Sequence, residues 1–125
     1  MEPVRVLIVD DEEELTSALE ERLNLRGFQA RGVNTGAEAL AWLEETPCDV
    51  VLLDVKMPGL GGLEVIKRIK NVYPQLEVIL LTGHGSAQDA ERGMELGAYD
   101  YLMKPLKIEV LAQLLVTAAA RKEGD

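Results

Sequence analysis

Asp54 closes an uninterrupted apolar run, Val50-Val51-Leu52-Leu53, and Pro58, Gly59, Gly61 and Gly62 follow it closely. Three other apolar runs end the same way. Val6-Leu7-Ile8-Val9 stops at Asp10-Asp11, Val78-Ile79-Leu80-Leu81 stops at Thr82, and Tyr101-Leu102-Met103 stops at Lys104. If these ends lie together, three carboxylates, a hydroxyl and an ammonium share one patch. Neighbouring carboxylates repel one another and disfavour the charged form unless something positive sits among them. Oxygen donors without His or Cys select a hard cation, and carboxylates with water suit Mg²⁺. A carboxylate beside Mg²⁺ and a lysine can attack phosphorus, because the cations neutralise charge on the phosphoryl oxygens. The product of that attack is an aspartyl phosphate.

The elements must place these ends on one edge. A Val/Leu run without polar alternation suits a strand buried on both faces of a parallel sheet. Between the runs the apolar residues recur at helical spacing: Leu15, Leu19 and Leu23; Ala37, Leu40, Ala41 and Leu43; Leu63, Ile66 and Ile69; and Ile108, Leu111, Leu114 and Leu115. The spacing predicts helices over roughly 13–26, 36–45, 63–72, 87–96 and 108–121. Gly27 and Gly97 stand where helix-ending glycines belong. Thr35 and Ser86 are placed to cap helices. Phe28–Val33 alternates and reads as an exposed edge strand, and Tyr99–Met103 as a short last strand.

Strand and helix thus alternate five times, which predicts one α/β domain of three layers with a parallel sheet and helices on both faces. Right-handed crossovers favour the strand order 2-1-3-4-5. In such a sheet ligands bind beyond the carboxyl ends of the strands, where all the charged run-ends fall. Residues 1–122 form the domain, and 123–125 close a polar tail that begins at Arg121 and suits a linker stub.

Composition narrows the classes. The 125 residues suffice for one core. A net charge of −9 disfavours direct contact with nucleic acid or an anionic membrane. No apolar stretch approaches the ~20 residues of a membrane helix. No signal-peptide pattern precedes the first strand, which predicts a cytoplasmic protein. Cys48 is the single cysteine and reads as a small buried hydrophobe. Trp42 reads as packing.

Taken together, Asp10-Asp11, Asp54 within Asp54-Val55-Lys56-Met57-Pro58-Gly59, Thr82, and Tyr101-Leu102-Met103-Lys104-Pro105 resemble the motifs of response-regulator receiver domains of bacterial two-component signalling. Each motif is weak alone; their order and positions are specific, and the resemblance covers the whole chain. It implies that Asp54 is the phosphoacceptor and that Mg²⁺ is the cofactor. Asp11 would bind the ion directly and Asp10 largely through water, with Asp54 and the backbone carbonyl of Lys56 completing the set. Lys104 would hold a phosphoryl oxygen, Thr82 would turn its hydroxyl to the phosphoryl group, and Tyr101 would move inward as a switch. Pro105 would follow a cis peptide bond. The implied partners are a histidine kinase or histidine phosphotransfer protein as donor and an output domain or downstream protein as target. A phosphorylation-dependent homodimer is also allowed. The readout would use the face made by the fourth helix, fifth strand and fifth helix.

Two rivals share parts of this pattern. An aspartate-nucleophile phosphatase places an acidic residue two positions after its nucleophile, where this chain has Lys56. A flavin-binding module of the same topology needs a neutral, hydroxyl-rich first loop, where this chain has Asp10-Asp11-Glu12-Glu13-Glu14. Lys56 and His84 overhang the approach to Asp54 by the same resemblance. Neither is a carboxylate or amide able to orient a hydrolytic water well, so a long-lived phosphorylated state is expected.

Overall fold

The computed structural model describes residues 2–83 and 87–124. His84 and the expected cap Ser86 lie outside the described residues. Among the described residues ten elements alternate: β1 (Arg5–Val9), α1 (Glu13–Leu25), β2 (Gln29–Val33), α2 (Gly36–Glu45), β3 (Val50–Asp54), α3 (Gly62–Val72), β4 (Glu77–Thr82), α4 (Ala87–Glu95), β5 (Asp100–Met103) and α5 (Ile108–Gly124). The sheet is parallel throughout, in the order β2-β1-β3-β4-β5. The fold class expected from the sequence is the one found.

The strands alternate between two cores. Leu7, Val9, Val51, Leu53, Val78 and Leu80 meet Ala39 and Leu43 of α2 and Val65, Ile66 and Ile69 of α3. Val6, Ile8, Val50, Leu52, Ile79 and Leu81 meet Leu19 and Leu23 of α1 and Leu111, Leu115 and Ala118 of α5. Because β1, β3 and β4 are covered on both faces, their runs carry no polar alternation. Among the described residues, no helix is long and apolar enough to cross a membrane.

The helix signals act as expected at both ends. Thr35 Oγ1 accepts from the Glu38 amide at 3.0 Å as the N-cap of α2, and Glu38 Oε1 reaches back to accept from the Asn34 amide, one residue before the cap, at 3.3 Å. Gly27 has φ +91°. Its amide donates to the Asn24 carbonyl and that of Phe28 to the Leu23 carbonyl, which closes α1 as a Schellman motif with Phe28 buried. Three boundaries stand out from expectation, the first being β2, which begins at Gln29 rather than Phe28. β5 begins at Asp100 rather than Tyr99, and the Arg121–Gly124 segment continues α5 instead of forming a tail. Arg, Lys and Glu are good helix formers, so a polar run there does not stop the helix.

The edge strand β2 is closed by side chains of α1. Asn24 Oδ1 accepts from the Ala30 amide at 2.8 Å, and Glu20 Oε2 from the Gly32 amide at 2.6 Å. Thr16 continues this row: its Oγ1 accepts from Asn34 Nδ2 at 3.0 Å. Thr16, Glu20 and Asn24 are spaced four apart, so one helix face covers an edge that would otherwise offer free amides to another strand.

Candidate phosphoacceptor and cation site

Register decides which strand ends meet. Val9 pairs with Leu53, so Asp10 comes level with Asp54 on the neighbouring strand. Asp54 pairs with Leu81, and Thr82, the next residue of β4, pairs with Met103. The Lys104 amide then donates to the Thr82 carbonyl at 2.8 Å. The carboxyl ends of β1, β3, β4 and β5 therefore step along one edge of the sheet, each delivering one polar side chain.

Asp10 is fully buried. Its Oδ1 accepts from the Glu12 amide at 2.9 Å, and its Oδ2 meets Lys104 Nζ at 2.8 Å as an ion pair. The same Oδ2 makes no directed hydrogen bond. Asp54 is also buried; its Oδ1 accepts from the Lys56 amide at 3.3 Å and its Oδ2 lies 3.7 Å from Lys104 Nζ. Asp11 is exposed beside them. One oxygen from each of Asp10, Asp11 and Asp54 can lie within 4.8 Å of the others. This all-oxygen set fits a hard divalent cation.

Burial and the neighbouring Asp10 charge push the Asp54 carboxyl up to about 6, with a smaller push from Asp11. Lys104 and the Lys56 amide oppose that rise. For Lys104 burial disfavours the charge, but Asp10, Asp54 and Glu12 outweigh it and hold the ammonium well above the usual lysine range. The lysine is therefore a permanent cation here. Asp54 is mainly ionised above neutral pH and becomes more so when a further cation enters the cluster.

Thr82 is buried, and its Oγ1 donates to the Leu102 carbonyl at 3.4 Å, a long bond. Tyr101 is 44 % exposed, with its side chain on the outer surface. Lys56 is exposed at the rim. The Lys104–Pro105 peptide bond is cis. Asp10, Asp11, Asp54 and Lys104 thus come together, Thr82 borders them and Tyr101 stands outside. His84 is not among the described residues.

Three further residues shape the cluster. Glu12 Oε1 lies 3.2 Å from Lys104 Nζ. Asn34 Nδ2 donates to the Asp10 carbonyl at 2.9 Å, tying the loop after β1 to the end of β2. Gly62 sits where a Cβ would collide with the Asp54 carbonyl and with Val55. Glu12 read as one acid among five. Gly62 carried a signal, since a glycine beside a functional loop often marks a close backbone approach.

The family model for the response regulator receiver domain matches residues 6–116. The uncharacterized transcriptional regulatory protein YkoG of Bacillus subtilis (strain 168) is 40 % identical over 124 residues, 99 % of this chain and 54 % of its own length. The transcriptional regulatory protein CpxR of Klebsiella pneumoniae subsp. pneumoniae (strain HS11286) is 45 % identical over 101 residues, 81 % of this chain and 43 % of its own. The chain therefore spans about half the length of these relatives. A response regulator receiver domain protein from Clostridium thermocellum superposes with a TM-score of 0.91 at 33 % identity, over 96 % of this chain and 97 % of that one. Sheet order, acidic edge and matched sequence converge on one assignment: the chain belongs to the response regulator receiver domain family of two-component signalling.

Proposed function

We propose that Asp54 accepts a phosphoryl group from the phosphohistidine of a histidine kinase or histidine phosphotransfer protein, and that Lys104 and Thr82 read the new charge. The observation that carries this is the buried Asp54 carboxylate at a strand end, with two more carboxylates within 4.8 Å and a lysine 3.7 Å away.

An Asp54 oxygen attacks phosphorus as the bond to the donor imidazole nitrogen breaks; the electron pair leaves with that nitrogen, which takes up a proton. Receiver domains bind Mg²⁺ at an acidic cluster, and Asp11, Asp54 and the Lys56 carbonyl would hold it here, with Asp10 largely through water. When bound, the ion supplies charge neutralisation between nucleophile and phosphoryl oxygens. Lys104 neutralises a further oxygen. Thr82, whose present bond to Leu102 is long, is free to exchange it for a phosphoryl oxygen at little cost.

Phosphorylation adds about −1.5 to −2 charges at this edge. Shifts of Thr82 and Lys104 toward them pull on the loops after β4 and β5, with Tyr101 turning inward as the coupled element. Exposed Met94, Tyr101, Met103 and Val110 give the α4-β5-α5 face apolar surface for the readout. The relatives' names and their extra length support an output module or partner protein as its target, and a phosphorylation-dependent homodimer uses the same kind of surface. This is a change in binding affinity and not turnover of an outside substrate. It would operate in the cytoplasm, with the DNA or effector contact made by the partner.

Intact mass after incubation with acetyl phosphate and Mg²⁺ tests the assignment. One added phosphoryl group is expected, and none in Asp54→Asn. Equal labelling of the variant would place the acceptor elsewhere.

A further inference from the structure

Glu12 occupies the N-cap of α1, with φ −87° and ψ 102°, yet its side chain caps nothing in the first turn. Its carboxylate turns instead across the edge of the sheet to Lys104, with Oε1 3.2 Å from Nζ. The backbone beneath it is fixed from both sides. The Glu12 amide donates to Asp10 Oδ1 at 2.9 Å, and the Glu12 carbonyl accepts from the Thr16 amide at 3.1 Å. Lys104 is thus held at 2.8 Å by Asp10 and at 3.2 Å by Glu12, both from the segment after β1, and stands farther off, at 3.7 Å, from Asp54.

We propose that Glu12 is a positioning residue that holds Lys104 in its resting place and must release it when Asp54 takes up a phosphoryl group. The proposal rests on Asp54 being the phosphoacceptor. An ammonium shared among three carboxylates has to give up part of that contact to follow a phosphoryl oxygen. Asp10 is buried and stays beside the lysine. The Glu12 side chain is 64 % exposed, so on losing Lys104 it regains water at little cost. Glu12 is therefore the contact most easily exchanged, and it biases the resting arrangement without locking it. Solvent exposure also makes that bias salt-sensitive.

The test is the initial rate of labelling by acetyl phosphate with Mg²⁺, read by intact mass, in wild type, Glu12→Gln, Lys104→Met and the double variant. Glu12→Gln should label about two- to five-fold faster at low ionic strength, as befits one exposed ion pair, with the gain shrinking in high salt. In the Lys104→Met background the same substitution should change the rate little, because the group it restrains is gone. An undiminished gain there would mean that Glu12 merely repels an anionic donor, and the holding role would be overturned. Labelling at Asp54 with unchanged or slower rates in Glu12→Gln would overturn it too, leaving the phosphoacceptor intact. A folded wild type that takes up no phosphoryl group would remove both assignments together.

Discussion

Lys104 rests against Asp10, Nζ to Oδ2 at 2.8 Å, and not against Asp54, whose nearest oxygen is 3.7 Å away. Asp54 is therefore a buried carboxylate with incomplete compensation, and its raised pKa follows from that placement. The consequence for stability has a definite sign. With a folded pKa of about 6 against the ordinary 3.8, the native state binds more protons than the unfolded state between roughly pH 4 and 6. Asp54 thus costs stability as pH rises through that window, and the full cost remains above it. Without Mg²⁺, Asp54→Asn should be more stable than wild type at pH 7.5, by up to about 3 kcal/mol less whatever Lys104 loses, with the gap closing near pH 4. Urea midpoints across this range check it; a constant gap would show that Asp54 titrates normally.

Asp11 is the exposed member of the carboxylate cluster and has no protein cation within ion-pair distance among the described residues, whereas Asp10 is already paired with Lys104. Asp11→Ala should weaken Mg²⁺ binding about tenfold or more while leaving the unfolding midpoint of the metal-free protein nearly unchanged. Asp10→Ala should weaken Mg²⁺ binding less, since its contact to the ion is largely through water. Calorimetric titration of both variants decides the order, and equal losses would contradict direct ligation by Asp11.

Gly62 opens α3 directly against the Asp54 carbonyl, and its amide donates to the Val55 carbonyl at 3.1 Å. A Cβ there meets backbone, which has no rotamer through which to yield. Gly62→Ala should cost about 1–3 kcal/mol and slow labelling of Asp54, because the strain falls on the residue that carries the nucleophile. Denaturation and labelling measured together are the check. Stability lost with an unchanged labelling rate would show that α3 gives way and β3 does not.

Asn24 makes two bonds to Ala30, accepting from its amide at 2.8 Å and donating to its carbonyl at 3.3 Å. Asn24→Ala should destabilise by about 1 kcal/mol, the usual net value of such bonds when water can replace them. It should also expose a strand edge. Concentration-dependent association, absent in wild type, is the expected sign in sedimentation. A monomeric variant of unchanged stability would show that α1 shields the edge by bulk alone.

Much of the fold was legible in the chain because its signals are local. The unalternated runs at Val6–Val9, Val50–Leu53 and Val78–Leu81 report burial on both faces, and Thr35, Gly27 and Gly97 mark helix ends through backbone chemistry that needs no distant partner. The strand-end positions of Asp10, Asp11, Asp54, Thr82 and Lys104 follow from the same runs once strand and helix are seen to alternate. What the tertiary structure decided is who faces whom. The pairing of Val9 with Leu53 brings Asp10 level with Asp54, and it leaves Lys104 nearer Asp10. The reach of Glu12 to Lys104, the anchoring of Asp10 by Asn34 and the seating of Gly62 on Asp54 join residues far apart in the chain or set by a particular loop path. Side-chain periodicity cannot encode such contacts, because they depend on strand register and loop closure, which exist only when the sheet is assembled. The end of α5 shows the same limit from the other side: the polar run from Arg121 reads as a tail, yet its residue types suit a helix equally, and the helix runs on to Gly124.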